Sequence, residues 1–458
     1  MKKLFGTDGI RGKAGEFPLD AATARVIGRS LAQHLVENTG KNPQIVIGRD
    51  TRESGPWIEQ ALIAGAHEAG AQVKSAGVIT TPGVAFLARM LRADAGVVIS
   101  ASHNPYYDNG IKVFQPSGRK LDDGVERQIE ADIANSEEAA AAENDDASRT
   151  MSSVAAAELQ DRYVDHLTKE VAHDLSLENL TIVADCANGA AYQIAPEVFR
   201  RLGANVVAIN DQPDGHNINL NCGSLHIDGL REGVVAQRAD LGVAFDGDAD
   251  RALFVDSAGN FVDGDATLWI LANDFRARGE LANDIVVATV MSNIGVELAF
   301  RAQSIGLTRT DVGDKYVLDE ILRTGAALGG EQSGHIIFPN ISLAGDGIIT
   351  TIMVLRAMQE RKRPLSDLTR GFQRYPQLLL NVRVREKRPF EELPSVQQAA
   401  REVEDSLNGR GRLLLRYSGT EPLARIMIEG EDDSRIRRNA EKIAEAIRQE
   451  IGAEQLEN

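Results

Sequence analysis

Short apolar runs recur along the chain, and each is closed by a polar loop. Ile45-Val46-Ile47 ends in Gly48-Arg49-Asp50-Thr51-Arg52. Gly96-Val97-Val98-Ile99 runs into Ser100-Ala101-Ser102-His103-Asn104-Pro105, where Asn104 and Pro105 stop regular structure. Thr181-Ile182-Val183-Ala184 ends at Asp185-Cys186-Ala187-Asn188-Gly189, and Leu241-Gly242-Val243-Ala244-Phe245 ends at Asp246. Ile285-Val286-Val287-Ala288-Thr289-Val290 ends at Met291-Ser292-Asn293. Runs this short, rich in β-branched residues and bounded by turn formers, predict buried strands. Between them the period becomes helical: Val26, Ile27, Leu31, Leu35 and Val36 recur over residues 20–38, and Trp57, Leu62 and Ile63 belong to a second helix. A strand near Val73, the turn Thr80-Thr81-Pro82-Gly83 and a further helix lead to the serine run. Alternating strand and helix predicts βαβ units and a mostly parallel sheet. Ligands bind such sheets beyond the carboxyl ends of the strands, which is where Ser102 falls.

The alternation runs through three rounds, whose polar loops begin at Ser100, Asp246 and Glu331. Their spacings are unequal, so the period alone does not establish a repeat. Residues 136–153 are rich in Ala, Glu, Asp and Ser, with Met151 the one large apolar side chain, and read as a domain boundary. Near the C-terminus the pattern changes. Residues 378–384 start apolar and then alternate, and residues 412–416 and 424–428 read as two more strands. Ser434 is placed to cap a last helix with Ile436, Ala440, Ile443, Ile447 and Ile451 on one face. This segment predicts a small sheet with helices on one face.

Length and charge narrow the function. A chain of 458 residues is long enough for about three domains. With 67 acidic and 50 basic residues the net charge is −17, which argues against nonspecific nucleic-acid binding and against docking on anionic membranes. A phosphate substrate must then be drawn in by a few local cations or a metal. Cys186 and Cys222 have neither disulfide-framework nor metal-ligand spacing, as expected of reduced thiols in the cytoplasm. Met1-Lys2-Lys3 is followed by no apolar secretory core, and no run is long enough to cross a membrane, so a cytoplasmic location is expected.

Four stretches carry chemistry. Asp246-Gly247-Asp248-Ala249-Asp250-Arg251 offers three carboxylates on alternate positions, which on an extended loop point the same way and suit Mg²⁺. Arg251 and Ser257 exclude an EF-hand, and an acidic turn without metal is the alternative. Tyr106-Tyr107-Asp108-Asn109-Gly110-Ile111-Lys112 predicts a tight turn at Asn109-Gly110 and a strand that carries Lys112 back towards Ser102. Glu331-Gln332-Ser333-Gly334-His335 pairs a carboxylate with a hydroxyl and can bind adjacent sugar hydroxyls, or is a plain turn. Arg416-Tyr417-Ser418-Gly419-Thr420-Glu421-Pro422 with Arg425 combines backbone and hydroxyl donors with two guanidiniums, an anion-binding pattern whose alternative is a surface turn. The opening octet Phe5-Gly6-Thr7-Asp8-Gly9-Ile10-Arg11-Gly12 is Gly-rich but lacks P-loop spacing.

The serine loop followed by Asn109-Gly110-Ile111-Lys112 resembles the phosphoserine loop of the α-D-phosphohexomutase family, and the other motifs follow in that family's order over the whole chain. The resemblance implies three similar α/β domains with mixed or mostly parallel sheets over residues 1–150, 155–255 and 256–370. They would carry the phosphoserine, metal and sugar loops. A smaller C-terminal α+β domain over residues 375–458 would carry the phosphate loop. It implies that Ser102 bears the phosphoryl group and that Asp246, Asp248 and Asp250 bind Mg²⁺ with an oxygen from phospho-Ser102. Thr7 and Arg11 would lie near the phosphoserine. Glu331 and Ser333 would bind sugar, and Arg416, Ser418, Gly419, Thr420 and Arg425 the non-reacting phosphate. His335 is either a phosphate contact or merely packed. Lys112 would stabilise the transferring group and Arg251 position it; His103 and Lys112 are open candidates for proton transfer or electrostatics.

The implied activity is interconversion of glucosamine 6-phosphate and glucosamine 1-phosphate through a 1,6-bisphosphate, which also serves as activator, for cell-envelope amino-sugar synthesis. The same chemistry on mannose or glucose phosphates is the runner-up, and a Mg²⁺-dependent phosphatase or an inactive binding protein are further alternatives. Asp311-Val312-Gly313-Asp314-Lys315-Tyr316 places Asp314 where the mannose/glucose branch has a histidine, and a carboxylate there would suit an ammonium-bearing substrate. The expected partner is a small amino-sugar phosphate, with a homodimer left open.

Overall fold

The computed structural model describes residues 3–6, 8–136, 153–418 and 421–452. Thr7, Gly419, Thr420 and nearly all of the boundary expected at 136–153 lie outside them. The chain forms two compact units, one running up to Val290 and including Thr308–Thr369, the other made of Met291–Leu307 and the chain from Arg370 onward.

The first unit contains three sheets. In the first, strands lie in the order Phe5–Gly6, Gly9–Lys13, Asp108–Phe114, Ala95–Ile99, Gln44–Arg49, Gln72–Val78. Ala95–Ile99 runs parallel to Gln44–Arg49 and antiparallel to Asp108–Phe114, so that Val98 stands opposite Lys112. All five residues of Ala95–Ile99 are buried, which is why they read as an unbroken apolar run. Val97 and Ile99 share a core with Ile27 and Leu31 of helix Ala21–Thr39 and with Ile58 and Leu62 of helix Gly55–Glu68. Asp20 caps the former by accepting the Thr23 N–H at 2.9 Å. Near the N-terminus, strand Gly9–Lys13 pairs with Asp108–Phe114, setting Arg11 opposite Gly110.

That pairing corrects one sequence expectation. Asn109-Gly110 is not a turn but part of strand Asp108–Phe114. Gly110 is there because a Cβ would come within 2.5 Å of the Ser100 carbonyl oxygen. Asn109 is buried, its Nδ2 donating to Ser54 Oγ at 2.8 Å. Tertiary packing overrides the local turn signal.

The second sheet has the order Phe261–Val262, Ala252–Asp256, Leu241–Phe245, Thr181–Asp185, Asn205–Ile209, parallel at one end and antiparallel at the other. In the third, Ile285–Thr289 runs parallel to Gly329–Gly330, which pairs antiparallel with Ile336–Ile337. The class is thus α/β with mixed sheets, as the resemblance implies, although the first sheet has three antiparallel pairings and two parallel ones where the alternation alone predicts a mostly parallel sheet.

The second unit holds an antiparallel sheet in the order Gln377–Arg383, Leu423–Gly430, Gly411–Tyr417. Helices Pro394–Leu407 and Asp433–Ile451 bury Val396, Val403, Ile436, Ile443 and Ile447 in one core with Ile426 and Ile428 of the central strand. The cap of the last helix is Asp432, which accepts the Arg435 N–H at 3.0 Å, and not Ser434. A carboxylate at that end also complements the helix dipole, which a hydroxyl does not. Among the described residues no helix is long and apolar enough to cross a membrane.

Candidate active site

Ser102 follows strand Ala95–Ile99 with φ +54°, a left-handed conformation that a residue with a side chain adopts at a cost of about 1–3 kcal/mol. Its N–H donates to Ser100 Oγ at 2.9 Å, and Ser100 Oγ donates to the buried Asp50 at 2.6 Å. Its Oγ donates to Asp246 Oδ2 at 2.5 Å and lies 3.5 Å from His103 Nδ1.

The loop around Asp246 comes from the second sheet and is gripped by its backbone. The carbonyls of Gly247, Asp248 and Ala249 accept N–H groups from Ala190 (2.8 Å), Thr81 (3.0 Å) and Gly347 (3.0 Å), each in a different segment. The loop is a turn with Ala249 at φ +56°, not the extended strand that alternation implies. A Cβ on Gly247 would sit 2.5 Å from the Ser102 carbonyl oxygen, so the serine and acidic loops approach as closely as they do only with glycine here. The turn gathers Asp246, Asp248 and Asp250, all buried, with ligand oxygens within 4.8 Å of one another.

Those carboxylates are poised for a cation. Asp248 Oδ1 and Asp250 Oδ1 are buried without a hydrogen-bond partner. Burial pushes the Asp246 carboxyl well above its usual range, and the charges of Asp250 and Asp248 push it further. Three repelling carboxylates with two orphaned oxygens fit a hard divalent cation, which removes both penalties. Thr81, at the start of helix Thr81–Met90, donates its hydroxyl to Asp248 and orients it.

Cations surround the triad. Lys112 Nζ lies 2.8 Å from Asp248, 2.9 Å from Asp8 and 3.7 Å from Asp250. Burial disfavours its charge, but Asp248, Asp8 and Asp250 outweigh that and raise its pKa. Arg251 Nη1 lies 3.2 Å from His103 Nδ1. Burial, then the charges of Arg251 and Arg11, lower His103 to about 4, so the imidazole is neutral near pH 7. Because Arg251 can only donate, that Nδ1 is the acceptor nitrogen. His335 behaves oppositely: burial pulls it down, yet Asp250, 3.6 Å away, holds it at about 9.

A cavity of about 430 Å³ opens among Asp8, Arg11, His103, Asp250, Arg251, Asp314, Glu331 and His335. The structure therefore assembles Ser102, His103, Lys112, Arg251, Arg11, the triad, Glu331 and His335 in one place. Ser333 reaches it through Glu331, to which it donates at 3.2 Å. Asp314 starts helix Asp314–Thr324 and lines the cavity, but its Oδ1 accepts from Lys120 Nζ at 2.7 Å. Lys120 also binds Asp8 at 2.7 Å. Asp8 was not singled out by motif reasoning. It lies inside the opening octet, and its only sequence signal is proximity to Arg11.

Arg416, Ser418 and Arg425 lie in the second unit. Arg416 and Arg425 stand directly opposite on adjacent strands, an arrangement of like charges that is unfavourable unless an anion sits between them. Arg425 Nη2 donates to Ser418 Oγ at 3.2 Å, and Lys387 Nζ to the Ser418 carbonyl at 2.6 Å. Arg416→Ala is expected to raise KM for a sugar phosphate by roughly 30- to 150-fold, a loss of about 2–3 kcal/mol for a charge-assisted contact. Steady-state kinetics check it; unchanged KM would make the segment a surface turn.

The phosphoglucomutase/phosphomannomutase family models match the chain four times: α/β/α domain I over residues 2–140, domain II over 161–259, domain III over 263–375 and the C-terminal domain over 379–446. The chain belongs to the phosphoglucomutase/phosphomannomutase family. It is 50% identical over 451 residues to a phosphoglucosamine mutase of Solibacter usitatus, covering 98% of this chain and 99% of the relative. It is 49% identical over 460 residues to one of Symbiobacterium thermophilum, with 98% and 100% covered. Among solved structures it resembles a phosphoglucomutase/phosphomannomutase family protein of Burkholderia thailandensis, with TM-score 0.77, 24% identity and 98% of each chain covered. It also resembles an N-acetylphosphoglucosamine mutase of Aspergillus fumigatus, with TM-score 0.67, 18% identity and 97% and 95% covered. At these identities the two structures speak for the fold.

Proposed function

We propose that the chain interconverts glucosamine 6-phosphate and glucosamine 1-phosphate, with Ser102 as the phosphoryl carrier. The observation behind this is Ser102 Oγ on Asp246, inside a buried triad with two orphaned carboxylate oxygens. Full-length relatives near 50% identity that are phosphoglucosamine mutases support the choice of sugar.

In this reading the P–Oγ bond of phospho-Ser102 breaks as a P–O bond forms to O1 of the 6-phosphate. The O1 proton passes to the protein, and neutral His103 is the candidate acceptor, because Lys112 is already protonated among its carboxylates and serves electrostatically. The resulting 1,6-bisphosphate turns round, its 6-phosphoryl group returns to Ser102, and the 1-phosphate leaves. Asp246, Asp248, Asp250 and the serine-borne oxygen would hold Mg²⁺, which supplies charge neutralisation for the transferring group. Lys112 and Arg251 add fixed positive charge from the protein side. Glu331 and Ser333 face the sugar hydroxyls, and Arg416, Ser418 and Arg425 take the distal phosphate. Its product would feed amino-sugar synthesis for the cell envelope.

A coupled assay on glucosamine 6-phosphate with traces of bisphosphate tests the reaction. The sugar preference is tested separately. Asp314 and Glu331 line the cavity, and a carboxylate near a cationic amine is worth about 1–2 kcal/mol at a partly wet site. Lys120 already offsets part of the Asp314 charge, so the advantage is expected at the lower end, roughly tenfold in kcat/KM over glucose phosphates. Equal or better turnover of mannose 1-phosphate would instead support the mannose/glucose reading.

A further inference from the structure

Arg52 is one of the largest fully buried side chains in the protein, at 1% exposure, and no reading of the reaction uses it. Three of its four acceptors are backbone carbonyls between Ser102 and Asp108. Nη2 donates to the carbonyl oxygens of Ser102 (3.2 Å) and Asn104 (2.5 Å), and Nε to that of Asp108 (2.7 Å). Nη1 pairs with Asp50, the carboxylate that holds Ser100 Oγ, which in turn accepts the Ser102 N–H. Asn219 arrives from the chain that follows strand Asn205–Ile209. Its Nδ2 donates to the same two carbonyls, Ser102 at 2.9 Å and Asn104 at 3.1 Å.

The Ser102 carbonyl is thus pinned from outside its own loop, and its N–H is held within the loop by Ser100 Oγ, which Asp50 fixes in turn. This matters because the residue sits at φ +54°, a conformation that persists only where surrounding bonds enforce it. With the carbonyl tied back by Arg52 and Asn219, Oγ is left facing Asp246. We propose that Arg52 and Asn219 are positioning residues, which hold the strained Ser102 backbone so that its oxygen points at the metal site and the sugar. Neither touches substrate, and both act through Ser102. The inference rests on Ser102 being the phosphoryl carrier.

The test uses Asn219→Ala and Arg52→Lys in the full chain, phosphorylated and saturated with Mg²⁺. Lysine keeps the charge but lacks the planar fork that spans four acceptors. Misaimed by about 1 Å, the oxygen should transfer its phosphoryl group about 100-fold more slowly. The expected result is a kcat loss of that order, with KM close to that of the parent. The ³¹P resonance of phospho-Ser102 should move in both variants, a readout that a general packing defect would not produce. If Arg52→Lys does not fold, Asn219→Ala decides alone. The proposal is overturned if Asn219→Ala keeps parental kcat or an unmoved ³¹P resonance, or if its loss falls on KM alone. A parent protein with no phosphate on Ser102 would instead refute the carrier reading.

Discussion

Ser102→Ala and Ser102→Gly are both expected to abolish interconversion, with kcat falling by at least about 10⁴-fold, because a covalent carrier has no substitute in the site. Intact mass and peptide mapping of the parent should find about 80 Da on Ser102 in part of the sample, and none in either variant. The two variants separate chemistry from folding. Losing the hydroxyl removes one hydrogen bond to Asp246, a change of about 1 kcal/mol. At φ +54° glycine pays no steric cost, so Ser102→Gly should melt at or above the temperature of Ser102→Ala. Turnover retained by a well-folded variant, or phosphate confined to another residue, would sink the carrier role.

Asp246→Asn is expected to show the opposite pattern for stability. The apo-protein buries three close carboxylates, and burial together with the charges of Asp250 and Asp248 pushes the Asp246 carboxyl well above its usual range. Replacing this buried ionisable group by a neutral amide should raise the apo Tm by a few degrees at neutral pH, since a raised carboxyl pKa costs stability there and 1 kcal/mol corresponds to about 2–4 °C in a large domain. The same variant should lose the Tm increase that Mg²⁺ gives the parent, which is about 2.7 kcal/mol at one hundred times Kd. Turnover should drop by roughly 10²- to 10³-fold, as when one oriented charge-stabilising group is lost. The pH dependence follows from the same cause. A carboxyl held above its usual range keeps its proton to higher pH, and the metal must displace that proton, so Mg²⁺ affinity should rise with pH. Calorimetric titration at several pH values measures this. Full activity in excess chelator would exclude the metal altogether.

Much of the site was legible because its chemistry is written in consecutive residues. The serine loop, the acidic loop, Glu331-Gln332-Ser333-Gly334-His335 and the Arg416 segment each declare themselves by side-chain type over a few positions. The apolar runs declare the strands that end in those loops, since a strand covered on both faces must be apolar throughout. Local signals failed where a distant contact decided the outcome. Asn109-Gly110 has the composition of a turn, yet the Ser100 carbonyl and the neighbouring Gly9–Lys13 strand make it a strand. The acidic loop converges through a left-handed turn at Ala249, and not by alternation, because three other segments hold its carbonyls.

The chain's sequence by itself determined which groups are available: a serine at a strand end, three close carboxylates, the Glu331-Gln332-Ser333-Gly334-His335 loop and paired arginines. Tertiary structure alone decided which of them meet. Ser102 reaches Asp246 across 144 positions, Lys120 reaches Asp314 across 194, and Asn219 reaches the Ser102 carbonyl across 117. Such pairs have no local periodicity. Their distances are set by where separate sheets end and by glycines that let two loops touch, and only there do like-charged carboxylates gather into a group fit for a cation and a strained serine acquire its direction.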